Sequence, residues 1–248
     1  MRLYKYRDFS DVHGQSFDRL TEILKTGAFW CASPLTLNDH LEFIWDCDYT
    51  PSTETIFLVK EMLMKLRAKD NDEALIMAQI AVRDGLLESV ARPVFEEMIE
   101  KCRNEIGLSC FATSDDNEVM WDRYGGSGNG VCIAVDVPDL LLDKKIFRVT
   151  YFERKVIHID KLLSVFAELD EGQDVCEVAL LSKPECWIPE GEMRFVTMMQ
   201  NVSVRIAGSK IVFVTLGAKL STDNASKVCE LAKQLNLTVL IRERGEIG

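Results

Sequence analysis

Between residues 53 and 105 the chain carries three amphipathic patterns in a row. "TETIFLVKEMLMKLRAK", "NDEALIMAQIAVRDG" and "LLESVARPVFEEMIEKCRNE" place apolar residues three and four apart, the period of a helix with one buried face. Outside that stretch the patterns are short and mixed. "RLYKY" sets Leu3 and Lys5 against Tyr4 and Tyr6, which suits a strand. "AFWCASP", "IGLSCFAT", "GVCIAVD", "FRVTYF", "EMRFVTMM", "SVRIAG", "KIVFVTLG" and "TVLIRER" read as further strands. "SFDRLTEILKTG" reads as a helix closed by Gly27. "EVMWDRYG", "IDKLLSVFAELD", "QDVCEVALLSK" and "TDNASKVCELAKQLN" also read as helices. "LTLNDHLEFIWD" has no clear period and reads as a loop in which Asn38 and Asp39 make Asx-type turns. Strands and helices do not alternate regularly, so the expected class is α+β. It is a single domain over 1–248, with a mixed, largely antiparallel central sheet, flanking helices and a helical insertion at 53–105.

Composition narrows the function classes. The chain has 248 residues, enough for a sizeable core. Its net charge of −11 opposes extended binding to a nucleic-acid backbone, yet leaves room for one basic pocket for a small anion. No apolar run approaches the ~20 residues that span a bilayer. "MRLYKYRDFSD" is charged and has no apolar signal segment. A cytoplasmic protein without membrane contact is expected. The eight cysteines, at 31, 47, 102, 110, 132, 176, 186 and 229, form no CxxC pair, and only three histidines accompany them. Free thiols are expected, with no zinc site.

"EVMWDRYGGSGNGVCIAVD" holds glycines at 125, 126, 128 and 130. A dinucleotide-binding loop needs GxGxxG between a strand and the helix it opens. Here a helix precedes and a strand follows, and the position three beyond Gly128 is Val131. The expectation is a helix C-cap and a tight turn, not a phosphate cradle.

Four blocks occur in order: "LYKYR", "FWCASPLTLNDHLE", "GLSCFATSDDNEVMWDRYGGSGNGVCIAVD" and "WIPEGEMRFV". This order resembles the bacterial family known as domain of unknown function 2971. That family shows a Leu-Tyr-Lys-Tyr-Arg strand, an Asn-Asp-Pro-Phe-Glu-like loop, a Met-Trp-x-x-Tyr helix running into Gly-Val-Cys-Ile, and a Trp-x-x-Glu-x-Glu-x-Arg strand. The chain departs from it at His40, Leu41 and Pro189-Glu190-Gly191.

If "EGEMRF" is a strand, Glu190, Glu192 and Arg194 project to one face, where they are solvated, mutually paired or lining a site. Lys5 and Arg7 share a face of the first strand. The order of these residues is also similar to that of ADP-ribosyltransferases, which use a first-strand Arg or His, a Ser or Tyr on a following strand and a Glu on a later one. That resemblance implies an ADP-ribosyltransferase-like fold, NAD as substrate, and a toxin or phage-defence effector as the biological setting. It puts Lys5 or Arg7 in the first role, Ser33 in the second and Glu192 in the third, with Glu190 as a further catalytic carboxylate. Lys5, Arg7, Ser33, Tyr124 and Arg194 would hold the nucleotide, and Trp30, Trp121 or Tyr124 would stack on a ring. A carboxylate there would stabilise an oxocarbenium-like ribose. Two alternatives stand beside this reading. One is a non-catalytic ligand-sensing or protein-binding module, the other a metal-assisted hydrolase using Glu190 and Glu192.

Overall fold

The computed structural model describes residues 1–9, 15–37, 46–67, 69–152, 156–169 and 179–242. In chain order its elements are β1 (Arg2–Arg7), α1 (Gln15–Thr26), β2 (Ala28–Cys31), β3 (Asp46–Asp48), α2 (Thr55–Arg67), α3 (Asn71–Arg83), α4 (Leu87–Glu105), β4 (Gly107–Ala112), α5 (Glu118–Arg123), β5 (Val131–Asp136), β6 (Ile146–Arg148), β7 (Thr150–Phe152), β8 (Val156–His158), α6 (Ile159–Phe166), β9 (Ser182–Pro184), β10 (Glu192–Thr197), β11 (Val202–Arg205), β12 (Lys210–Leu216), α7 (Thr222–Gln234) and β13 (Thr238–Ile241). They fall into two compact units. The first comprises Met1–Ser33, Ile106–Val149 and Cys186–Gly248, the second Pro34–Glu105 and Thr150–Glu185.

The first unit is built on a seven-stranded sheet in the order β13-β12-β5-β1-β4-β10-β6. Every neighbouring pair is antiparallel except β12 with β13, which is parallel. The class is therefore α+β with a mixed, largely antiparallel sheet and flanking helices. Leu3, Phe111, Ile133, Met193, Phe195 and Val214 form one face of the sheet. They pack against Leu20, Ile23 and Leu24 of α1, Val228 and Leu231 of α7, and Phe29 of β2. On the opposite face Tyr6, Ala112 and Cys132 pack against Met120 and Trp121 of α5. The helix α1 stops where Gly27, at φ +65°, donates its N–H to the Ile23 carbonyl at 2.8 Å. A side ribbon pairs β2 with β11.

The second unit is mainly helical. Leu58, Val59, Met62 and Leu63 of α2, Ala74, Ala78 and Ala81 of α3, Phe95 of α4, and Leu162 and Leu163 of α6 share one core. The three patterns between 53 and 105 are each one helix. Asp70 caps α3 by accepting from the Asp72 and Glu73 N–H groups. No helix among the described residues is long and apolar enough to cross a membrane.

The glycine loop is a backbone joint. A Cβ at Gly130 would lie 2.0 Å from the Arg7 carbonyl oxygen, so only glycine permits that approach. The Gly217 and Lys219 N–H groups donate to the Gly130 and Gly128 carbonyls, and those of Gly125, Gly128 and Gly130 are bonded within the chain.

Two sequence expectations change. "FRVTYF" is two strands: Val149 donates to the Glu192 carbonyl, ending β6 on the large sheet, while β7 pairs in parallel with β9. Most of the helix expected at "QDVCEVALLSK" lies outside the described residues, and its end, Ser182–Pro184, is the strand β9. "LTLNDHLEFIWD" starts in a 3-10 turn and ends at Asp46, which opens β3. Asn38, Asp39, His40 and Leu41 between them lie outside the described residues, as does Cys176.

Candidate functional site

The strand β1 points alternate side chains to the two faces of the sheet, and chemistry separates with them. Lys5 and Arg7 follow Leu3 onto the α1 side, while Tyr4 and Tyr6 face α5. Lys5 Nζ donates to the Cys110 carbonyl at 2.7 Å and to Ser109 Oγ at 3.4 Å, and lies 5.3 Å from the centre of the Phe111 ring. Burial, then the neighbouring Arg7 charge, pushes its pKa down to about 8.

Arg7 is the unusual group. Burial lowers its affinity for the proton, and the nearby Arg19 guanidinium lowers it further. Its Nε is buried, and among the described residues nothing accepts a hydrogen bond from it. A guanidinium N–H taken from water without an acceptor is costly, although the Arg7 side chain as a whole is only half-buried.

Arg7 lines a cavity of about 570 Å³ with Arg19, Glu22, Ile23, Trp30, Val202 and Ser203. Local geometry explains the lining. Arg19, Glu22 and Ile23 stand three and four apart on α1, so they share a helix face. Trp30 and Ser203 are direct partners in the β2–β11 ribbon. The Trp30 side of that ribbon leaves the residue 47% exposed, an open aromatic surface beside two guanidinium groups.

On the other face the charges are matched. Glu192 Oε1 accepts from Arg194 Nε at 2.7 Å, and the two side chains are only 4% and 0% exposed. Glu190 Oε1 accepts from Tyr124 Oη at 2.9 Å and from Arg123 Nη1 at 3.1 Å. The Arg123 guanidinium lies 4.6 Å from the centre of the Trp187 ring. Beside Glu192 the Cys110 thiol is pushed up to about 12, first by burial and then by that carboxylate.

The structure thus gathers the expected residues into two groups. Lys5 and Arg7 lie together on the α1 side. Glu190, Glu192, Arg194 and Tyr124 lie together on the α5 side. The expected cleft uniting Lys5 or Arg7 with Ser33 and Glu192 is not formed. Register is the reason: Glu192 pairs with Ala112, and Ala112 pairs with Tyr4, so Glu192 shares the face of Tyr4. Ser33 is buried beyond the end of β2, its N–H donating to Asn201 Oδ1 at 3.3 Å, and it does not line the cavity. Glu190 is not on the strand but ends a 3-10 turn, with Gly191 at φ +54° between it and β10. The strand carrying Glu192 and Arg194 is interior, between β4 and β6, so the pair is buried rather than a solvated edge. Trp121 is wholly buried and its Nε1 donates to the Asp115 carbonyl, so it offers no ring to a ligand.

Sequence reading missed Arg19, Glu22 and Ser203. Each is an ordinary polar residue on its own element and acquires its setting only from the packing of α1 against the ribbon. Among the described residues no group of three or more His, Cys, Asp or Glu is placed to hold a metal. No family model, curated protein or solved structure matches the chain.

Proposed function

We propose that this protein binds a phosphate-bearing small molecule in the cavity on the α1 side of the sheet, with NAD as the first candidate. Arg7 carries the proposal: it is half-buried on the cavity wall, and its buried Nε–H has no acceptor among the described residues, so its guanidinium has donors to offer an anion. Arg19 adds a second donor fork and Trp30 a face for a planar ring. The volume of about 570 Å³ is in the range of small-ligand sites.

ADP-ribosyl transfer or NAD hydrolysis is the narrower form of this reading, and a toxin or defence role would rest on it. It requires a carboxylate near the ribose. Among the described residues Glu22 is the carboxylate on the cavity wall, whereas Glu192 is engaged by Arg194 on the far face. That engagement favours the second reading, a ligand-sensing module without turnover.

Calorimetric titration with NAD, ADP-ribose and inorganic pyrophosphate tests the site. At least one should bind, and Arg7→Gln should weaken it by about tenfold or more, the worth of one charge-assisted hydrogen bond. Failure of all three to bind the folded protein sinks the proposal. Nicotinamide release separates the two forms: a turnover abolished by Glu22→Gln but kept by Glu192→Gln supports catalysis, and none at all supports sensing.

A further inference from the structure

The helix α3 is packed the unexpected way round. Its buried side is three alanines, Ala74, Ala78 and Ala81, each no more than 2% exposed. Its larger apolar residues look outward: Ile76 is 56% exposed, and Leu75, Met77 and Ile80 are each more than a third exposed. Leu86, just beyond the helix, is exposed as well. Alanines bring α2 and α3 close together, which accounts for the inner side. Among the described residues nothing in the unit covers this row of apolar side chains, and such patches mark association surfaces.

The outward stripe is also self-complementary. Glu73, Ile76, Ile80 and Arg83 follow one another at spacings of three, four and three, so they lie along one side of the helix. Acids occupy the first turn, Asp72 and Glu73, and the base Arg83 the last. Lay a second α3 antiparallel on the first, with the two-fold axis beside residue 78. Ile76 then meets Ile80 of the second copy, and Glu73 meets Arg83 of the second copy. The symmetry makes each contact twice, as in an isologous interface. Glu73 bonds Lys69 and Arg83 is held by Asp84 through Nε and Nη2, so each end brings an ion pair of its own to the axis, and Asp72 faces Asp84 of the second copy at the margin of the stripe. A parallel arrangement would set acid against acid and base against base. With a net charge of −11, indiscriminate association is opposed, so a matched patch is what self-association requires.

We infer that the α3 face is a homodimer interface in which two α3 helices pack antiparallel through Ile76 and Ile80, flanked by Glu73–Arg83 pairs. Sedimentation velocity of the full chain tests it. The wild type should dimerise, and Ile76→Glu combined with Ile80→Glu should be monomeric at the same concentration. Because both positions are exposed, circular dichroism and thermal unfolding of the variant should match the wild-type monomer, which separates loss of the interface from loss of the fold. Glu73→Arg alone and Arg83→Glu alone should each weaken the dimer by about tenfold, the effect of placing like charges together at an interface. The two together should restore it. A wild type that stays monomeric overturns the inference, as does a dimer indifferent to Ile76→Glu or a charge swap without rescue.

Discussion

The two faces of the central sheet solve opposite problems. On the α5 side, Glu190, Glu192, Arg194, Arg123 and Tyr124 form a matched set in which every carboxylate named has a donor at hydrogen-bond distance. On the α1 side, Lys5, Arg7 and Arg19 bring three cations near one another, and among the described residues of the cavity wall Glu22 is the one carboxylate. The first arrangement holds Glu192 through one carboxylate oxygen and Glu190 through two donors. The second leaves the Arg7 Nε without an acceptor among the described residues, which is the ground of the proposed anion site. Glu190 and Glu192 are thus both buried and held by neighbouring donors.

The largest effect expected from this contrast is on stability. Arg194→Leu leaves the Glu192 carboxylate buried without its cation and should cost about 3–5 kcal/mol in urea unfolding. Most of that loss should return in the double variant Glu192→Gln/Arg194→Leu. A cost near zero for Arg194→Leu would break the comparison.

The next effect is on pH dependence. Burial and the neighbouring Arg7 charge push the Lys5 pKa from an ordinary 10.5 down to about 8, so its charged form is disfavoured by folding. Below pH 8 both states are charged and the penalty is complete. Between about 8 and 10.5 the folded state releases the proton while the unfolded state keeps it, so stability from this group rises with pH, by at most about 1.4 kcal/mol per unit. Other groups titrate in that window, so the difference between wild type and Lys5→Met is the quantity to measure. That difference should shrink as pH rises, and a flat difference would place Lys5 in a better-solvated setting.

Arg7→Met should act in the direction opposite to Arg194→Leu. Removing a half-buried cation whose Nε has no acceptor among the described residues, while keeping the alkyl stem, should stabilise the ligand-free protein by about 1 kcal/mol and weaken anion binding at once. A destabilised Arg7→Met would assign Arg7 to the scaffold. The smallest effect is that of Tyr124→Phe, which removes one donor to Glu190 while Arg123 remains; about 1 kcal/mol is expected in thermal unfolding, with no change in ligand affinity.

Much of this was written locally in the chain. Alternation in "RLYKY" put Lys5 with Arg7 and apart from Tyr4 and Tyr6. Apolar spacing marked α1, α2, α3 and α4, Gly27 marked the end of α1, and the order of helix, glycines and strand argued for a turn at 125–130 where the backbone indeed packs on itself. These features follow from the geometry of a few consecutive residues, so the sequence determined them alone. It also determined that Glu192 and Arg194 share a face. Which face depends on the register of β10 against β4 and of β4 against β1, strands about eighty and a hundred residues apart in the chain. A shift of one residue would have carried Glu192 to the side of Lys5. Register is set by the sum of side-chain packing over the sheet, not by any local motif. The same holds for the cavity, where α1 and the β2–β11 ribbon bring Arg19 and Trp30 to Arg7, and for α3, whose alanines face inward only because α2 lies there to receive them.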